Sequence, residues 1–286
     1  MTRASELPDS SWVSRVGRRL DQAPAHPRAR LWLAPAGGTT AALIGSISPP
    51  LAARLAAAGL PLRAKGGQWR IEPDTVGATD ATLAVIARWL QAHGCTSAWR
   101  NELLSVTDGS GHRVGAIERA AMRPLGIATH AVHLVGCDER GDVWVQQRSI
   151  DKATDPGLWD TLVGGLVSAD ESTAQALARE TWEEAGLRVD ELRGVQPFGR
   201  LTVRRPVADG YMVEHIDMFA AIAPNGLVPV NQDGEVERFE CLKLASLVER
   251  MHADRFTPEA AMILSTWLAQ GVNAGGWPIA GPGGKH

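Results

Sequence analysis

Apolar residues recur at helical spacing in three stretches of the first 125 residues. These stretches are WVSRVGRRL (12–20), PPLAARLAAAGL (49–60) and ATDATLAVIARWLQAHG (78–94). Asp9 or Ser10 can cap the first of them, because a short polar side chain at this position accepts a hydrogen bond from the helix N-terminus. We therefore predict three helices, with short strand-like segments between them.

A hairpin is predicted near the end of this first part. Two β-rich runs in residues 99–122 flank the sequence Asp-Gly-Ser-Gly at 108–111, and such a glycine-rich turn between β-rich runs is typical of a β-hairpin. Pro124 and Gly126 follow the hairpin and indicate a boundary. We predict a smaller α+β N-terminal accessory domain over residues 1–125.

From residue 127 the pattern becomes strand, hairpin and helix. IATHAVHLVGCDE (127–139) is β-rich, a turn covers 138–142, and VWVQQRS (143–149) alternates apolar and polar residues. A helical stretch over 172–185 follows a glycine pair. We predict an α/β second domain over 126–272, and a disordered glycine- and proline-rich tail over 273–286.

Composition agrees with a folded, water-soluble class of protein. The 286 residues are 44% hydrophobic and 21% charged, with a mean hydropathy of −0.10. No apolar run approaches the roughly 18 residues that a membrane span needs, and the N-terminal stretch lacks the apolar segment of a secretion signal. We therefore expect a cytoplasmic protein with no membrane partner.

Charge and cysteine usage exclude two further classes. Residues 1–125 carry 15 Lys and Arg against 9 Asp and Glu, whereas residues 126–286 carry 14 against 23. This positive excess is too diffuse for a nucleic-acid interface, so we expect no nucleic-acid partner. Cys95, Cys137 and Cys241 lie far apart, which indicates neither a disulfide framework nor a zinc site.

Three glutamates crowd one face of the predicted helix at 172–185. At 100° per residue, Glu183 and Glu184 fall within about 60° of Glu180, and the opposite face is small and apolar. Like charges at this spacing repel unless a cation lies between them, and Mg²⁺ prefers such oxygen ligands. The alternative is a solvated charged face with an ion pair between Arg179 and Glu183.

A glycine pair before the helix favours the metal site. Gly164 and Gly165 allow the backbone to approach a bound metal or phosphate closely, and Glu171 lies at the helix entry, where it could also reach the site. The run from Gly165 through Glu171 and the segment RETWEE (179–184) to Gly186-Leu187 resembles the Nudix box. Thr181 departs from the family pattern, which usually has an aliphatic residue there.

The resemblance implies a fold and a chemistry. The expected fold is the Nudix α/β/α sandwich with a mixed sheet, and the expected reaction is Mg²⁺-dependent hydrolysis of a diphosphate linked to another group, with Mn²⁺ as an alternative ion. Arg179 resembles the residue that orients the glutamates. The residues that the resemblance assigns to metal binding are Gly164, through its carbonyl group, Glu171, Glu180, Glu183 and Glu184.

A general base is also needed, and family members differ in which carboxylate serves. Glu180 is one candidate. Glu235 and Glu237 are others, since a glutamate after the box often completes the metal site in this family. An ordinary acidic turn exposed to solvent is the alternative for these two residues. We take Glu180, Arg179 and Glu237 as the predicted catalytic residues.

Two cations precede the acidic helix. Arg148 and Lys152 suit a terminal phosphate, Arg through paired hydrogen bonds and Lys as a point charge. The run containing them is similar to one in isopentenyl diphosphate isomerases, which share the Nudix fold and perform proton transfer. Those enzymes need a cysteine just before the box, and the nearest thiol here, Cys137, is far upstream. An isomerase is therefore disfavoured.

Segments spread over residues 99–268 resemble the Nudix proteins associated with thiamine pyrophosphokinase, which carry an extra N-terminal domain. The implied substrate is thiamine diphosphate, or its oxidised and damaged analogues, giving the monophosphate and phosphate. Trp144, Trp159 and Trp182 are candidates to line the substrate pocket. The alternatives are a pyrophosphatase of the ADP-ribose or NADH type and a non-catalytic ligand sensor. A homodimer is one option for assembly.

Overall fold

The computed structural model describes residues 8–37, 40–152 and 154–273. The predicted disordered tail, 273–286, lies outside these residues except for position 273. Within the described ranges, no helix is both long enough and apolar enough to cross a membrane.

The first part of the chain builds a four-stranded sheet, a separate hairpin and three helices. The sheet has the order β2-β1-β4-β3, and β1 and β4 run parallel. The bounds are α1 (Ser10–Leu20), β1 (Ala29–Leu33), β2 (Ala42–Ile47), α2 (Pro49–Ala57), β3 (Leu62–Lys65), β4 (Gln68–Ile71), α3 (Thr79–Ala92), β5 (Leu103–Thr107) and β6 (Arg113–Glu118).

The second part builds a seven-stranded mixed sheet and three helices. Five strands follow the order β11-β12-β7-β8-β13, with β10 paired to β7 and β9 paired to β8. The bounds are β7 (Thr129–Cys137), β8 (Val143–Arg148), β9 (Trp159–Asp160), β10 (Val163–Leu166), α4 (Thr173–Ala185), β11 (Arg193–Val207), β12 (Gly210–Ile222), β13 (Val236–Leu242), α5 (Leu244–His252) and α6 (Pro258–Asn273).

The central strand β7 is buried on both faces, which makes the second part a three-layer sandwich. Val132 and Leu134 point into the core beneath α4, whereas Ala131 and Val135 point into a core shared with α5 and α6. A strand covered on both faces has few polar positions. The α/β/α sandwich with a mixed sheet that the sequence predicts is confirmed.

The first helix joins the second part of the chain. Trp12, Val16 and Leu20 of α1 lie in the same core cluster as α5 and α6, although α1 comes from the first 125 residues. Asp9 caps this helix by accepting a hydrogen bond from the Trp12 amide at 2.8 Å. The division of the chain at residues 125 and 126 remains a prediction, and α1 contributes to the core on the far side of it.

Candidate active site

Local sequence signals fix both ends of α4. Ser172 and Gln175 form a capping box: the Ser172 hydroxyl accepts from the Gln175 amide, and the Gln175 side chain accepts from the Ser172 amide at 2.9 Å. Gly186 ends the helix in the left-handed conformation, with φ of 63°. The predicted helix over 172–185 therefore forms between these caps.

The buried face of α4 differs from the predicted one. Thr181 and Ala185 are buried as expected, whereas Ala174 and Ala178 are exposed. Glu184 is buried instead, at 2% exposure. Glu184 therefore does not share the open position of Glu183, because the helix is oriented so that Glu184 points toward the sheet.

Arg179 lies among three of the predicted metal-binding carboxylates, and we call these four residues the Arg179 cluster. Its Nε and Nη2 donate to Glu171 at 2.7 and 2.8 Å, and its Nη1 donates to Glu180 at 2.7 Å and to Glu183 at 3.0 Å. One guanidinium thus faces three carboxylates. With all three ionised, the cluster carries two negative charges in excess.

Burial and the guanidinium act differently on the carboxyl groups of this cluster. The hydrogen bond from Arg179 lowers the pKa of Glu171, which lies toward solvent. Burial raises the pKa of Glu180, although Arg179 opposes that effect. Glu183 is the most open of the three, with 44% of its side chain exposed.

Glu184 belongs to a separate buried group. Its Oε2 accepts from the Gly164 amide and from Gln146 Nε2, both at 2.9 Å, and its Oε1 lies 3.9 Å from Lys152 Nζ. Burial raises the pKa of the Glu184 carboxyl to about 8, while Lys152 acts in the opposite direction. Gly164 therefore contacts Glu184 through its amide group, whereas the sequence predicts a metal ligand at its carbonyl group.

The glycine pair lies on strand β10 rather than in a loop, where Gly164 pairs with His133 and Gly165 with Val132. A Cβ atom on Gly165 would overlap the Glu180 carboxylate, and one on Gly164 would overlap the His133 ring. The pair is required because side chains pack directly against this stretch of backbone.

The two predicted phosphate-binding cations line the same cavity as Glu180 and Glu183 of α4. Arg148 Nη1 is 3.2 Å from Asp160 Oδ2, and its Nη2 donates to the Thr154 carbonyl at 3.1 Å. Lys152 Nζ forms an ion pair with Glu235. Arg148 is thus held by Asp160, and Lys152 is held by Glu235 with Glu184 3.9 Å away.

Of the two late glutamates, Glu235 reaches the site and Glu237 does not. Burial acts to raise the pKa of Glu235, but the hydrogen bond and charge of Lys152 and the charges of Arg119 and Arg148 lower it overall. Glu237 is exposed at a β-bulge, where the pairing of β13 with β8 skips one residue. The bulge separates Glu237 from Glu235, which lies just before the strand.

A cavity of about 600 Å³ joins these groups. Glu180 and Glu183 line it together with Lys152 and Arg148. One wall comes from the first part of the chain. The lining residues of that wall are Ser97, Ala98, Arg100, Glu102, Arg119, Ala120, Met122 and Arg123.

A second acidic region lines the same cavity. Glu214 Oε2 accepts from the Thr129 hydroxyl at 2.9 Å, and Glu259 Oε1 accepts from Arg205 at 3.1 Å. Burial raises the pKa of the Glu259 carboxyl to about 6. Thr129 contacts Glu214, and His133 pairs with Gly164. These two residues lie four positions apart on β7, so roughly 13 Å of strand separates the second acidic region from Gly164.

The predicted aromatic contacts are not made. Trp182 is 52% exposed, Trp159 lies beneath the guanidinium of Arg250 at 4.7 Å, and Trp144 packs in the core under α4. Within the part of the chain that the structure describes, no Trp, Tyr or Phe side chain lines the cavity. Its apolar surface comes instead from residues such as Met122 and Met212.

Across residues 8–37, 40–152 and 154–273, no group of three or more Asp, Glu, His or Cys side chains is arranged to hold a metal ion. The donor chemistry still fits a hard divalent cation. Glu180 and Glu183 supply oxygen ligands at the cavity wall, and the absence of a side chain at Gly165 leaves room for the Glu180 carboxylate.

Three buried polar residues at the site were not found from the sequence. Asp160 holds Arg148, Gln146 donates to Glu184, and His133 packs against Gly164 with its Nδ1 2.8 Å from the Thr161 hydroxyl. Gln146 Oε1 has no hydrogen-bond partner among the described residues. Gln146 lies two residues after Trp144 on the same face of β8, and a polar residue at that position is the signal that could have identified it.

A family model described as NUDIX domain matches residues 128–263. Nudix hydrolase 20, chloroplastic, of Arabidopsis thaliana is 33% identical over 179 residues, which is 59% of this chain and 46% of that protein. An isopentenyl-diphosphate Delta-isomerase of Jannaschia sp. is 34% identical over 122 residues, 41% of this chain and 67% of that protein.

Among solved structures, the crystal structure of DR0079 from Deinococcus radiodurans matches with a TM-score of 0.47 and 21% identity, covering 58% of this chain and 99% of that one. The chain spans about half the length of the first curated relatives that it matches.

Proposed function

Residues 128–263 of this chain are a Nudix domain, and on that premise we propose that the protein hydrolyses the phosphoanhydride bond of a small organic diphosphate. The observation that carries the proposal is the single cavity in which the Arg179 cluster faces Lys152 and Arg148. Carboxylates suit a divalent cation, and the two cations suit phosphate oxygens. A diphosphate bound in this cavity could contact the divalent cation held by the carboxylates as well as Lys152 and Arg148.

Glu180 and Glu183, with Glu235 across the cavity, would hold Mg²⁺ or Mn²⁺. When bound, such an ion neutralises charge on phosphate oxygens and makes a water molecule more acidic. Gly164, Glu171 and Glu184 remain predicted ligands. In the structure Glu171 bonds to Arg179, and the Gly164 amide bonds to Glu184.

In the proposed reaction, water adds to one phosphorus atom, the bridging P–O bond breaks, and two phosphate products leave. Lys152 and Arg148 bind phosphate oxygens and orient the substrate. A Glu180 carboxylate oxygen accepts the proton of the attacking water. Arg179 is a positioning residue, because its guanidinium fixes the carboxylates of Glu171 and Glu180. A catalytic role for Glu237 remains a prediction, and its exposed position gives it no support.

We propose thiamine diphosphate, or its oxidised and damaged analogues, as the substrate, with the monophosphate and phosphate as products. The resemblance to the thiamine pyrophosphokinase-associated type supports this choice. So does the region around Glu214 and Glu259, because carboxylates suit an organic cation or an amino group at the end of the substrate away from the phosphates. Packing against Met122 and Met212 would replace the aromatic stacking expected from the sequence.

One of the named relatives, the isopentenyl-diphosphate Delta-isomerase of Jannaschia sp., favours an alternative in which the protein binds a diphosphate and transfers a proton. The three cysteines oppose it. Cys137 is buried at the end of β7, Cys95 and Cys241 lie elsewhere, and none of them lines the cavity. Conversion of isopentenyl diphosphate to its isomer, without release of phosphate, would favour this alternative over hydrolysis.

The proposed hydrolysis is tested by removing one carboxylate charge from the Arg179 cluster. We expect Glu183→Gln to lower Mg²⁺-dependent phosphate release by at least about a hundredfold, because it removes a charged ligand from the cavity. Glu249→Gln is the matched control, since Glu249 is exposed on α5. Phosphate release is followed with thiamine diphosphate, its oxidised analogues, ADP-ribose and NADH, each compared by kcat/KM.

These measurements distinguish the proposed hydrolysis from its alternatives. Preference for ADP-ribose would replace the proposed substrate and leave the chemistry in place. Turnover in EDTA, or an unchanged rate in Glu183→Gln, would contradict metal-assisted hydrolysis. Thermal stabilisation by a diphosphate without any product would indicate a ligand sensor. The absence of a nucleic-acid partner, a homodimer and a cytoplasmic location remain predictions from the sequence.

A further inference from the structure

Three arginines on the cavity wall lie outside the Nudix domain. Arg100, Arg119 and Arg123 all precede residue 128, and they line the same cavity as Glu180 and Glu183. The hairpin β5–β6 and its flanking segments carry them. One wall of the site is therefore contributed by the first part of the chain, and that wall is positively charged.

The segment that carries Arg100 has a defined conformation. Glu118 is buried at 4% exposure, and its two carboxylate oxygens accept from the amides of Arg100 at 2.9 Å and of Glu102 at 3.1 Å. Between them, Asn101 adopts a left-handed conformation with φ of 56°, and its side chain accepts from Trp99 Nε1 at 2.9 Å. The backbone of Arg100 is thereby fixed at the edge of the cavity.

Arg119 is positioned by a carboxylate of the same hairpin. Its Nη1 donates to Glu102 Oε2 at 2.8 Å, and Glu102 Oε1 lies 3.4 Å from the Ser168 hydroxyl. The exposed side chain of Arg100 has no hydrogen-bond or ion-pair partner anywhere in the described ranges of the chain. A guanidinium without a partner among the described residues, on the same cavity wall as Arg119, is suited to an anion.

The hairpin is attached directly to the loop that leads into α4. The Ala169 amide donates to the Leu103 carbonyl at 2.8 Å, and Arg113 donates to the Ala169 carbonyl at 2.7 Å. The Ser168 amide in the same loop donates to Glu171 at 3.2 Å. The arginine wall and the Arg179 cluster are therefore held in a fixed relation.

We propose that Arg100 and Arg119 form an anion subsite that binds the diphosphate group of the substrate. The active site is then completed by a segment outside the Nudix domain. The inference rests on the proposed function, because it takes the diphosphate as the occupant of the cavity. Paired hydrogen bonds from guanidinium groups match phosphate oxygens in geometry and charge.

The subsite is tested in the full-length protein by titrating inorganic diphosphate calorimetrically in EDTA. We expect the dissociation constant to rise about tenfold in each of Arg100→Ala and Arg119→Ala, as for loss of a hydrogen bond to a charged group. Arg119→Lys should recover part of that loss. Arg88→Ala is the control, because Arg88 is exposed on α3 and does not line the cavity.

Kinetics give a second readout. With a diphosphate ester and Mg²⁺, KM should rise about tenfold in each variant while kcat changes less than about threefold, as expected for loss of substrate binding. Since the Arg100 side chain has no partner among the described residues, Arg100→Ala keeps the test valid if Arg119→Ala fails to fold. Unchanged affinity and KM in folded variants would overturn the subsite.

The two proposals fail in different ways. Arginine-dependent binding of inorganic diphosphate, with no turnover of any diphosphate ester by the wild type, would contradict the proposed function and support the subsite. Wild-type hydrolysis, with KM unchanged in both alanine variants, would contradict the subsite and leave the function in place.

Discussion

At the scale of single residues, the site depends on one missing side chain. Gly165 lies on β10 with the Glu180 carboxylate packed where a Cβ atom would stand. The backbone of β10 has little freedom to move aside, because its amide and carbonyl groups pair with β7. The position of Glu180 is therefore set by the backbone as well as by Arg179.

We expect Gly165→Ala to lower the free energy of unfolding by about 1–3 kcal/mol and to reduce phosphate release at least about tenfold, because the methyl group displaces Glu180. Urea denaturation and initial rates measure the two effects. Gly109→Ala is the control, since its Cβ would meet nothing within 4 Å. Full activity of Gly165→Ala at wild-type stability would show that Glu180 does not need its observed position.

At the scale of elements, α4 places carboxylates in different surroundings by its rotation against the sheet. Glu183 lies in the open Arg179 cluster, whereas Glu184, the next residue, is buried against Gly164. Neighbouring residues on a helix point about 100° apart, so one carboxylate can face the cavity while the next faces the core. The ends of α4 must be fixed for this rotation to persist.

The capping box of α4 should therefore contribute measurably to stability. We expect Ser172→Ala to lower the free energy of unfolding by about 1 kcal/mol, because the Gln175 amide loses its acceptor. Ser172→Asp keeps an acceptor at the cap and should stay close to wild type. The denaturant midpoints of both variants measure this difference. An equal loss of stability in Ser172→Ala and Ser172→Asp would show that the cap hydrogen bond does not stabilise the helix.

At the scale of the whole molecule, the two parts of the chain are linked through packing and through the cavity. Helix α1 packs with α6 of the second part, and the hairpin β5–β6 forms one wall of the cavity. Segments distant in sequence therefore share one core and one site. The stability of the Nudix part should depend on residues that precede it.

We expect Leu20→Ala to lower the free energy of unfolding by about 2–5 kcal/mol and to speed hydrogen exchange in α6, since Leu20 is 2% exposed in the shared core. Leu103→Ala, at a residue 52% exposed, is the matched control and should change stability by less than about 1 kcal/mol. If α6 exchange stayed at the wild-type rate in Leu20→Ala, α1 would be dispensable to that core.

Local pattern predicted much of the fold. The cap at Asp9, the hairpin around residues 108–111 and the α/β/α sandwich follow from signals within a few residues, or from the box. The rotation of α4 did not follow, because Glu184 has the same local spacing as its neighbours. Its burial depends on the Gly164 amide and Gln146, which lie on other strands.

The sequence by itself determined the elements, the acidic helix and the chemical types of the candidate site, because caps, turns and periodicity act between neighbours in the chain. Only the tertiary structure decided that Glu235 rather than Glu237 meets Lys152, that the tryptophans stay out of the cavity, and that Arg100 and Arg119 enter it. The physical reason is that strand register, a bulge and packing between distant segments set the direction of each side chain.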